Sequence, residues 1–238
     1  MNKKYIVEKS TTILIKGILA GIAISFGGFL CLRLNTLAGN TILGSFLFSF
    51  GLILICNFDF NLYTGKICYL FDNINYHSSS KIIMKKILGK IITLSLILLG
   101  NLIGTLIFAN LLKLVMVDNS INNTLMEILK NSVEAKINYQ WFEMIGLSFF
   151  CGMLVYIAVE GFRKIDNQFG KYVVLMLAIG GFIIMGFEHS IANMFYYFLA
   201  GNYNLMALLS LLLCVIGNSI GGLAIPLISK LINKNYTV

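Results

Sequence analysis

Two short polar segments interrupt long apolar stretches of the chain and carry ionisable side chains. The first polar segment, Cys56–Lys66, contains Asp59, and the second polar segment, Gly186–Asn193, contains Glu188 and His189. An unperturbed imidazole titrates at about pH 6.5, so His189 is suited to hydrogen bonding and proton exchange with a small acid. The surroundings of the two segments decide which chemistry is open to them.

The composition places these segments in a membrane. Hydrophobic residues make up 58% of the 238 residues, charged residues only 12%, and the mean hydropathy is +0.86. A soluble domain has about 25% charged residues, so this chain lacks the polar surface to cover itself in water. A membrane-spanning helix needs about 20 apolar residues, which leaves no room for a separate soluble domain. We therefore predict one transmembrane domain over residues 1–238, in the cell membrane.

Six apolar regions are predicted to be membrane spans, which makes the expected fold class all-α. They run approximately over residues 11–34, 41–70, 87–115, 141–159, 172–199 and 205–231. A polar connection, Asp118–Gln140, has room for a short surface helix between the third and fourth spans.

The lysines and arginines predict the orientation. With the N-terminus in the cytoplasm, twelve of them lie on the cytoplasmic side and four on the opposite side. Because cytoplasmic loops of membrane proteins are enriched in Lys and Arg, both termini are expected to be cytoplasmic. Topology and attraction to anionic membrane lipid then explain the net charge of +8, with no nucleic acid as a partner.

The two polar segments occupy matching places, in the second and the fifth apolar regions. Three spans are an odd number, so a repeated unit of three is inserted in opposite orientations, as an inverted repeat. Both segments also contain an aromatic residue followed by an acid, Phe58-Asp59 and Phe187-Glu188. We expect the second and fifth helices to be broken at these places.

Broken helices inside a membrane must face protein or water, because an unpaired backbone group in lipid costs several kcal/mol. Each break would direct a helix N-terminus, with about half a positive charge, towards the membrane centre. Two such ends and the imidazole of His189 suit a small monovalent anion. In the alternative interpretation, Asp59 and Glu188 merely cap the new helix starts and His189 is a satisfied core residue.

The sequence of the second polar segment resembles a known signature. Gly186–Met194, GFEHSIANM, resembles the fifth-helix signature of the formate/nitrite transporter family, and Asn61–Gly65, NLYTG, is similar to the second-helix loop of that family. The resemblance implies an aquaporin-like protomer, assembled as a homopentamer. Each protomer would have its own pore for formate, nitrite, hydrosulfide or a similar anion, and no cofactor or metal.

The resemblance also implies a set of site residues. The central pore site would contain His189 with Thr64 as its hydrogen-bond partner, together with Glu188 and Asn193. Gly152 would stand where formate-type relatives have an asparagine, which would enlarge the site. Further matches to the family are the second-helix loop at Leu62, Tyr63 and Gly65, a cytoplasmic constriction at Phe48 and Leu52, a constriction on the far side at Val155 and Phe182, and an outer vestibule at Lys136.

Several alternatives remain open from the sequence. Lys66 pairs with Asp59 or reaches a subunit boundary, and Lys136 is a vestibule residue or a solvated lysine. His189 either passes a proton to the anion, which then crosses as the neutral acid, or only hydrogen-bonds it. An aquaporin-type channel would show Asn-Pro-Ala in both segments, and neither has it.

An intramembrane enzyme is the rival from another class. The chain has two histidines, His77 and His189, and it contains neither an H-E-x-x-H nor a G-x-S-x-G motif. We therefore do not expect an enzyme. A purely structural membrane protein would have no use for two polar segments at mid-membrane.

Overall fold

The apolar regions fold into long helices, because a helix satisfies its backbone hydrogen bonds within its own segment. The structure is a computed structural model that describes residues 3–75 and 78–235. Within these residues the helices are α1 (Lys3–Ala38), α2 (Thr41–Asn57), α3 (Tyr63–Lys66), α4 (Ser80–Val115), α5 (Ser120–Ile137), α6 (Trp141–Lys164), α7 (Gln168–Ile184), α8 (Ser190–Ala200) and α9 (Leu205–Asn235). A 3-10 turn, Ile67–Tyr69, directly follows α3.

Four of the described helices, α1, α4, α6 and α9, contain segments long and apolar enough to cross a membrane. The apolar helices α2 and α7 are shorter, with 17 residues each. Residues 58–62 separate α2 from α3, and residues 185–189 separate α7 from α8. Large apolar side chains on the outer surface, such as Leu114 and Phe169, are 81% and 79% exposed. This surface is suited to lipid, and the protein is a multi-pass membrane protein.

The helices pack in two groups. In the first group α1 lies against both α4 and α2, and in the second group α6 lies against both α9 and α7. The groups meet where α2 packs against α7 and where α8 packs against α4. This arrangement buries the later part of each polar segment, Leu62–Gly65 and Glu188–Asn193, whereas Asn57–Asp59 and Gly186 remain exposed.

Helix α5 forms the polar connection between the two groups. Its buried residues Leu125, Leu129 and Val133 recur every four positions, which is the spacing of one helix face. The side chain of Asn119 caps its start by accepting a hydrogen bond from the backbone N–H of Asn122 at 2.9 Å. The helix packs on α1 and α8, and this packing places Lys136, in its last turn, beside the second polar segment.

Candidate functional site

His189 lies at the N-cap position of α8 and uses both ring nitrogens. The backbone N–H of Ala192 donates to Nδ1 at 3.2 Å, so the ring carries its proton on Nε2. Nε2 lies 2.9 Å from Oγ1 of Thr64, the second residue of α3. Both residues are buried, with 4% exposure for His189 and none for Thr64. The hydrogen bond predicted between these two residues is present, and it joins the two polar segments.

Glu188 is held by two of the other residues expected at the site. Its carboxylate lies 2.5 and 2.6 Å from Nζ of Lys136, and Asn193 Nδ2 donates to its Oε2 at 2.8 Å. The Glu188 side chain is 2% exposed and that of Lys136 is 17% exposed. Lys136 is therefore a partner of a buried carboxylate, and its interpretation as a solvated lysine is wrong.

The acids of the polar segments do not cap the new helices. His189 itself caps α8, and α3 begins at its N-cap, Leu62, without a side-chain cap. Asp59 binds Lys16 Nζ at 2.6 Å and lies 3.6 Å from Lys66 Nζ. The capping interpretation of Asp59 and Glu188 is thus wrong, because a lysine occupies each carboxylate. For Lys66, the structure favours the pairing with Asp59.

An aromatic ring packs against the imidazole of His189, and a second ring packs against the first. The ring of Phe182 stacks on His189 with a centroid distance of 5.9 Å and an interplanar angle of 21°. Phe48 meets Phe182 edge to face at 6.0 Å. These two phenylalanines, which were expected at constrictions on opposite sides, are in contact because α2 packs against α7.

Three other expected pore residues are buried. Leu52, Val155 and Leu62 are 1–2% exposed and belong to the apolar core. The hydroxyl of Tyr63 lies 2.9 Å from Oγ of Ser219 on α9. Tyr63 is thereby directed to α9, and its neighbour Thr64 is the loop residue that contacts His189.

A cavity of about 830 Å³ opens beside α3. Its apolar lining includes Leu62, Gly65 and Val159, and its charged lining includes Asp59, Lys66 and Arg163. Much of the first polar segment, including its charged residues, thus lines the cavity.

Two asparagines that the sequence analysis did not single out hold the polar segments in place. Asn101, on α4, donates through Nδ2 to the carbonyl oxygens of Gly17 and Asn61, both at 2.8 Å. Its Oδ1 accepts from the backbone N–H of Tyr63 at 2.9 Å. The backbone N–H of Asn61 in turn donates to the carbonyl of Lys16 at 3.1 Å.

Asn218, on α9, repeats these contacts in the other group of helices. Its Nδ2 donates to the carbonyl oxygens of Ser148 at 2.8 Å and Glu188 at 2.9 Å, and its Oδ1 accepts from the backbone N–H of Ser190 at 2.8 Å. The backbone N–H of Glu188 donates to the carbonyl of Leu147 at 3.4 Å. A shared motif, G-N-x-I-G at 100–104 and at 217–221, is the signal that could have found both asparagines.

The matching hydrogen bonds also set the register between the polar segments. Asn61 occupies the place of Glu188, and Leu62 occupies the place of His189. The aromatic residue that corresponds to Phe187 is therefore Phe60 and not Phe58. The similarity between Phe58-Asp59 and Phe187-Glu188 in the sequence is shifted by two residues from the structural equivalence.

Comparison with known proteins decides the family. A family model described as formate/nitrite transporter matches residues 2–231. The chain belongs to the formate/nitrite transporter family.

Solved structures share the fold of this family member. One, described as a pentameric formate channel with formate bound, has a TM-score of 0.78 at 22% identity and covers 95% of this chain and 98% of that chain. Another, described as an FNT family ion channel, has a TM-score of 0.78 at 21% identity, with 95% and 92% covered.

A curated relative is also similar in sequence. The formate channel FocA of Haemophilus influenzae is 26% identical over 160 residues, which is 65% of this chain. The match spans 52% of that relative, about half of its length. The relatives of this transporter-family chain are thus channels, which is consistent with the expectation that it is not an enzyme.

Gly152, the expected departure from the formate-type pattern, lies at a helix contact. A Cβ atom on Gly152 would lie 2.3 Å from the carbonyl oxygen of Asn218 and 2.9 Å from the backbone nitrogen of Gly222. Both atoms belong to the backbone of α9. The expectation that Gly152 enlarges the site is corrected, because its missing side chain lets α6 and α9 approach each other.

The described part of this transporter-family chain contains no group of three or more His, Cys, Asp or Glu residues that could hold a metal ion. His77, the other histidine, lies outside the described residues.

Proposed function

We propose that this chain forms a channel for small monovalent anions such as formate, nitrite or hydrosulfide, with one pore in each protomer of a homopentamer. The observation that carries the proposal is the hydrogen bond between Thr64 and His189, because it joins the two polar segments in the protein interior. The formate channels among the relatives support the class of anion and the pentamer.

The pore belongs to a protomer with six spans in an inverted repeat. In this interpretation α2 with α3 forms the broken second span, and α7 with α8 forms the broken fifth span. The equivalent contacts of Asn101 and Asn218 support the repeat, since the same hydrogen bonds recur in both groups of helices. The distribution of Lys and Arg supports cytoplasmic termini, and the cavity beside α3 is then the cytoplasmic entrance.

The hydrogen bonds of α8 limit how an anion is recognised. The N-terminus of a helix attracts anions through its potential and through its unpaired N–H groups. Here the backbone N–H of Ser190 is bound by Asn218, and that of Ala192 is bound by His189. The positive charge of Lys136 is neutralised by Glu188. Recognition therefore depends on the potential of α8 and on the polar groups of Thr64 and His189.

Proton transfer follows from loss of water. An anion that passes the rings of Phe48 and Phe182 loses hydration, which disfavours its charged form. It then takes the Nε2 proton of a doubly protonated His189 and crosses as the neutral acid, which leaves a neutral ring with its proton on Nδ1. A proton from the bulk solution then binds Nε2 and restores the doubly protonated ring. The doubly protonated ring carries hydrogen on both nitrogens, so its Nδ1 cannot accept from Ala192. Nδ1 carries a proton in both forms of the ring, so the relay requires the cap of α8 to stay open throughout the cycle.

Proteoliposomes test the channel and the relay separately. We would measure swelling in formate, nitrite and hydrosulfide salts by light scattering, and internal pH with a trapped dye. The wild type should conduct at least one of these anions far faster than protein-free vesicles, and equal rates would refute the channel. His189→Phe should abolish proton-coupled uptake, with His77→Phe as the matched control. Undiminished coupled uptake by His189→Phe would exclude the relay.

Native mass spectrometry tests the pentamer separately, and it should show five copies of the chain.

A further inference from the structure

We infer that Asn101 and Asn218 are positioning residues for the pore, and that each fixes one residue of a polar segment by binding the backbone on both sides of it. Asn101 binds the carbonyl of Asn61 and the N–H of Tyr63, which flank Leu62. Asn218 binds the carbonyl of Glu188 and the N–H of Ser190, which flank His189. The inference rests on the proposed function, since it assumes that Leu62 and His189 face the permeating anion.

The geometry makes these contacts strong. Both asparagine side chains are completely buried, and their contacts join three separate chain segments in each group of helices. Helix α3 starts without a side-chain cap, so the Tyr63 N–H depends on Asn101. A buried backbone group that loses its hydrogen-bond partner is strongly disfavoured, so the chain outside the helices is held firmly at these points.

The glycines of the shared motif allow this arrangement. A Cβ atom on Gly104 would lie 2.1 Å from the carbonyl oxygen of Ile18, and one on Gly221 would lie 1.9 Å from that of Phe149. The close approach of α4 to α1 and of α9 to α6 brings each asparagine within reach of the neighbouring helix and the polar segment together. The motif therefore allows close helix packing and also places its asparagine against a polar segment.

The two positions present different side chains to the pore. At equivalent places the first polar segment has the apolar Leu62 and the second has the titratable His189. The two asparagines should thus affect different properties of transport. Asn101 should control the size of anion that passes Leu62, and Asn218 should control the proton exchange at His189.

Aspartate substitutions test this difference in the full-length channel. Asn101→Asp and Asn218→Asp keep the acceptor oxygen but lose the Nδ2 donor. The matched control is Asn110→Asp, because Asn110 is exposed on α4 and donates only to the carbonyl of Leu106 in its own helix. In proteoliposomes, Asn218→Asp should shift or flatten the pH profile of formate uptake. Asn101→Asp should raise the ratio of acetate to formate uptake and leave the pH profile in place.

Other outcomes would overturn the inference. If both variants assemble and show the pH profile and anion ratio of Asn110→Asp, the asparagines do not position the pore residues. If both variants change the two properties in the same way, the asparagines are merely structural. Should the aspartates fail to fold, Asn101→Ser and Asn218→Ser, which are smaller and neutral, are measured in the same assays.

A measurement on the wild type needs no variant. Hydrogen exchange should be as slow at the backbone N–H groups of Tyr63 and Ser190 as it is in the interiors of α4 and α9. Rapid exchange at either position would refute the inference even if formate transport is observed. If the wild type conducts none of the anions, the proposed function fails, and the exchange result still decides whether the asparagines hold the segments.

Discussion

Lys136 and Glu188 form a nearly symmetric ion pair, with Nζ of the lysine 2.5 Å from one carboxylate oxygen and 2.6 Å from the other. The pair joins the last turn of α5 to the chain immediately before His189. A similar pair, Lys16 with Asp59 at 2.6 Å, is formed at the first polar segment. The pairs differ in burial, because the Glu188 side chain is 2% exposed and that of Asp59 is 73% exposed.

Removal of the cation from the buried pair should destabilise the protein. Lys136→Ala leaves the buried Glu188 carboxylate without its cation, and breaking a buried pair in this way costs about 3–5 kcal/mol. We expect a much lower thermal unfolding midpoint in detergent than for Lys130→Ala, a control at an exposed lysine of the same helix. Adding Glu188→Gln to Lys136→Ala should recover part of the loss. Equal midpoints for Lys136→Ala and Lys130→Ala would contradict a stabilising role for the pair.

The same experiment on the exposed pair should give a small effect. Lys16→Ala removes an ion pair that water screens, and such pairs contribute about 0–1 kcal/mol. Lys66, 3.6 Å from Asp59, still provides a cation there. The unfolding midpoint should therefore remain close to that of the wild type. If Lys16→Ala lowers the unfolding midpoint as much as Lys136→Ala does, solvent exposure does not determine how much each ion pair contributes to stability.

Removal of the ring stacked on the imidazole should widen the anion selectivity. Phe182 is 2% exposed and contacts both His189 and Phe48, so Phe182→Ala opens space beside the site. We expect a higher ratio of acetate to formate uptake in proteoliposomes, with a stability loss of about 3–5 kcal/mol. Phe169→Ala is the control, because Phe169 lies on the same helix and is 79% exposed. Identical uptake ratios in the two variants would argue against Phe182 as a pore residue.

Substitution of Gly152 should disturb helix packing and not the anion site. The Cβ atom of Gly152→Ala would overlap with the backbone of α9, and backbone cannot move aside as a flexible side chain does. We expect a lower yield of folded protein, and a greater loss for Gly152→Asn. The control is Gly146→Ala on the same helix, where a Cβ atom meets nothing within 4 Å. There the replacement of glycine by alanine should stabilise the helix by up to about 1 kcal/mol. Normal folding of Gly152→Asn would mean that the site can take the asparagine of formate-type relatives.

Hydropathy predicted most of the secondary structure. The predicted spans starting at residues 41, 141 and 205 begin where α2, α6 and α9 begin. Agreement was poorer at α4, which begins at Ser80 and not at Ile87. Its first turns contain Lys81, Lys85 and Lys86, so the apolar pattern starts later than the helix does.

The two polar segments were also predicted from the sequence, and the contact between Thr64 and His189 was implied by the resemblance to the family. The pattern of polar residues in apolar stretches is a local property, and the signature GFEHSIANM is continuous. By contrast, the partner of Glu188 could not be derived in this way. Lys136 lies 52 residues before it, on a surface helix whose docking depends on packing with α1 and α8.

The amino-acid sequence by itself thus determined the membrane location, the helical class, the places of the polar segments and the family signature, because each depends on composition or on neighbouring residues. Only the tertiary structure decided that Phe48 and Phe182 touch, that Gly152 packs on α9, and that Asn101 and Asn218 hold equivalent segments. These relationships depend on the distance and direction between helices, which the packing of side chains far apart in the chain determines.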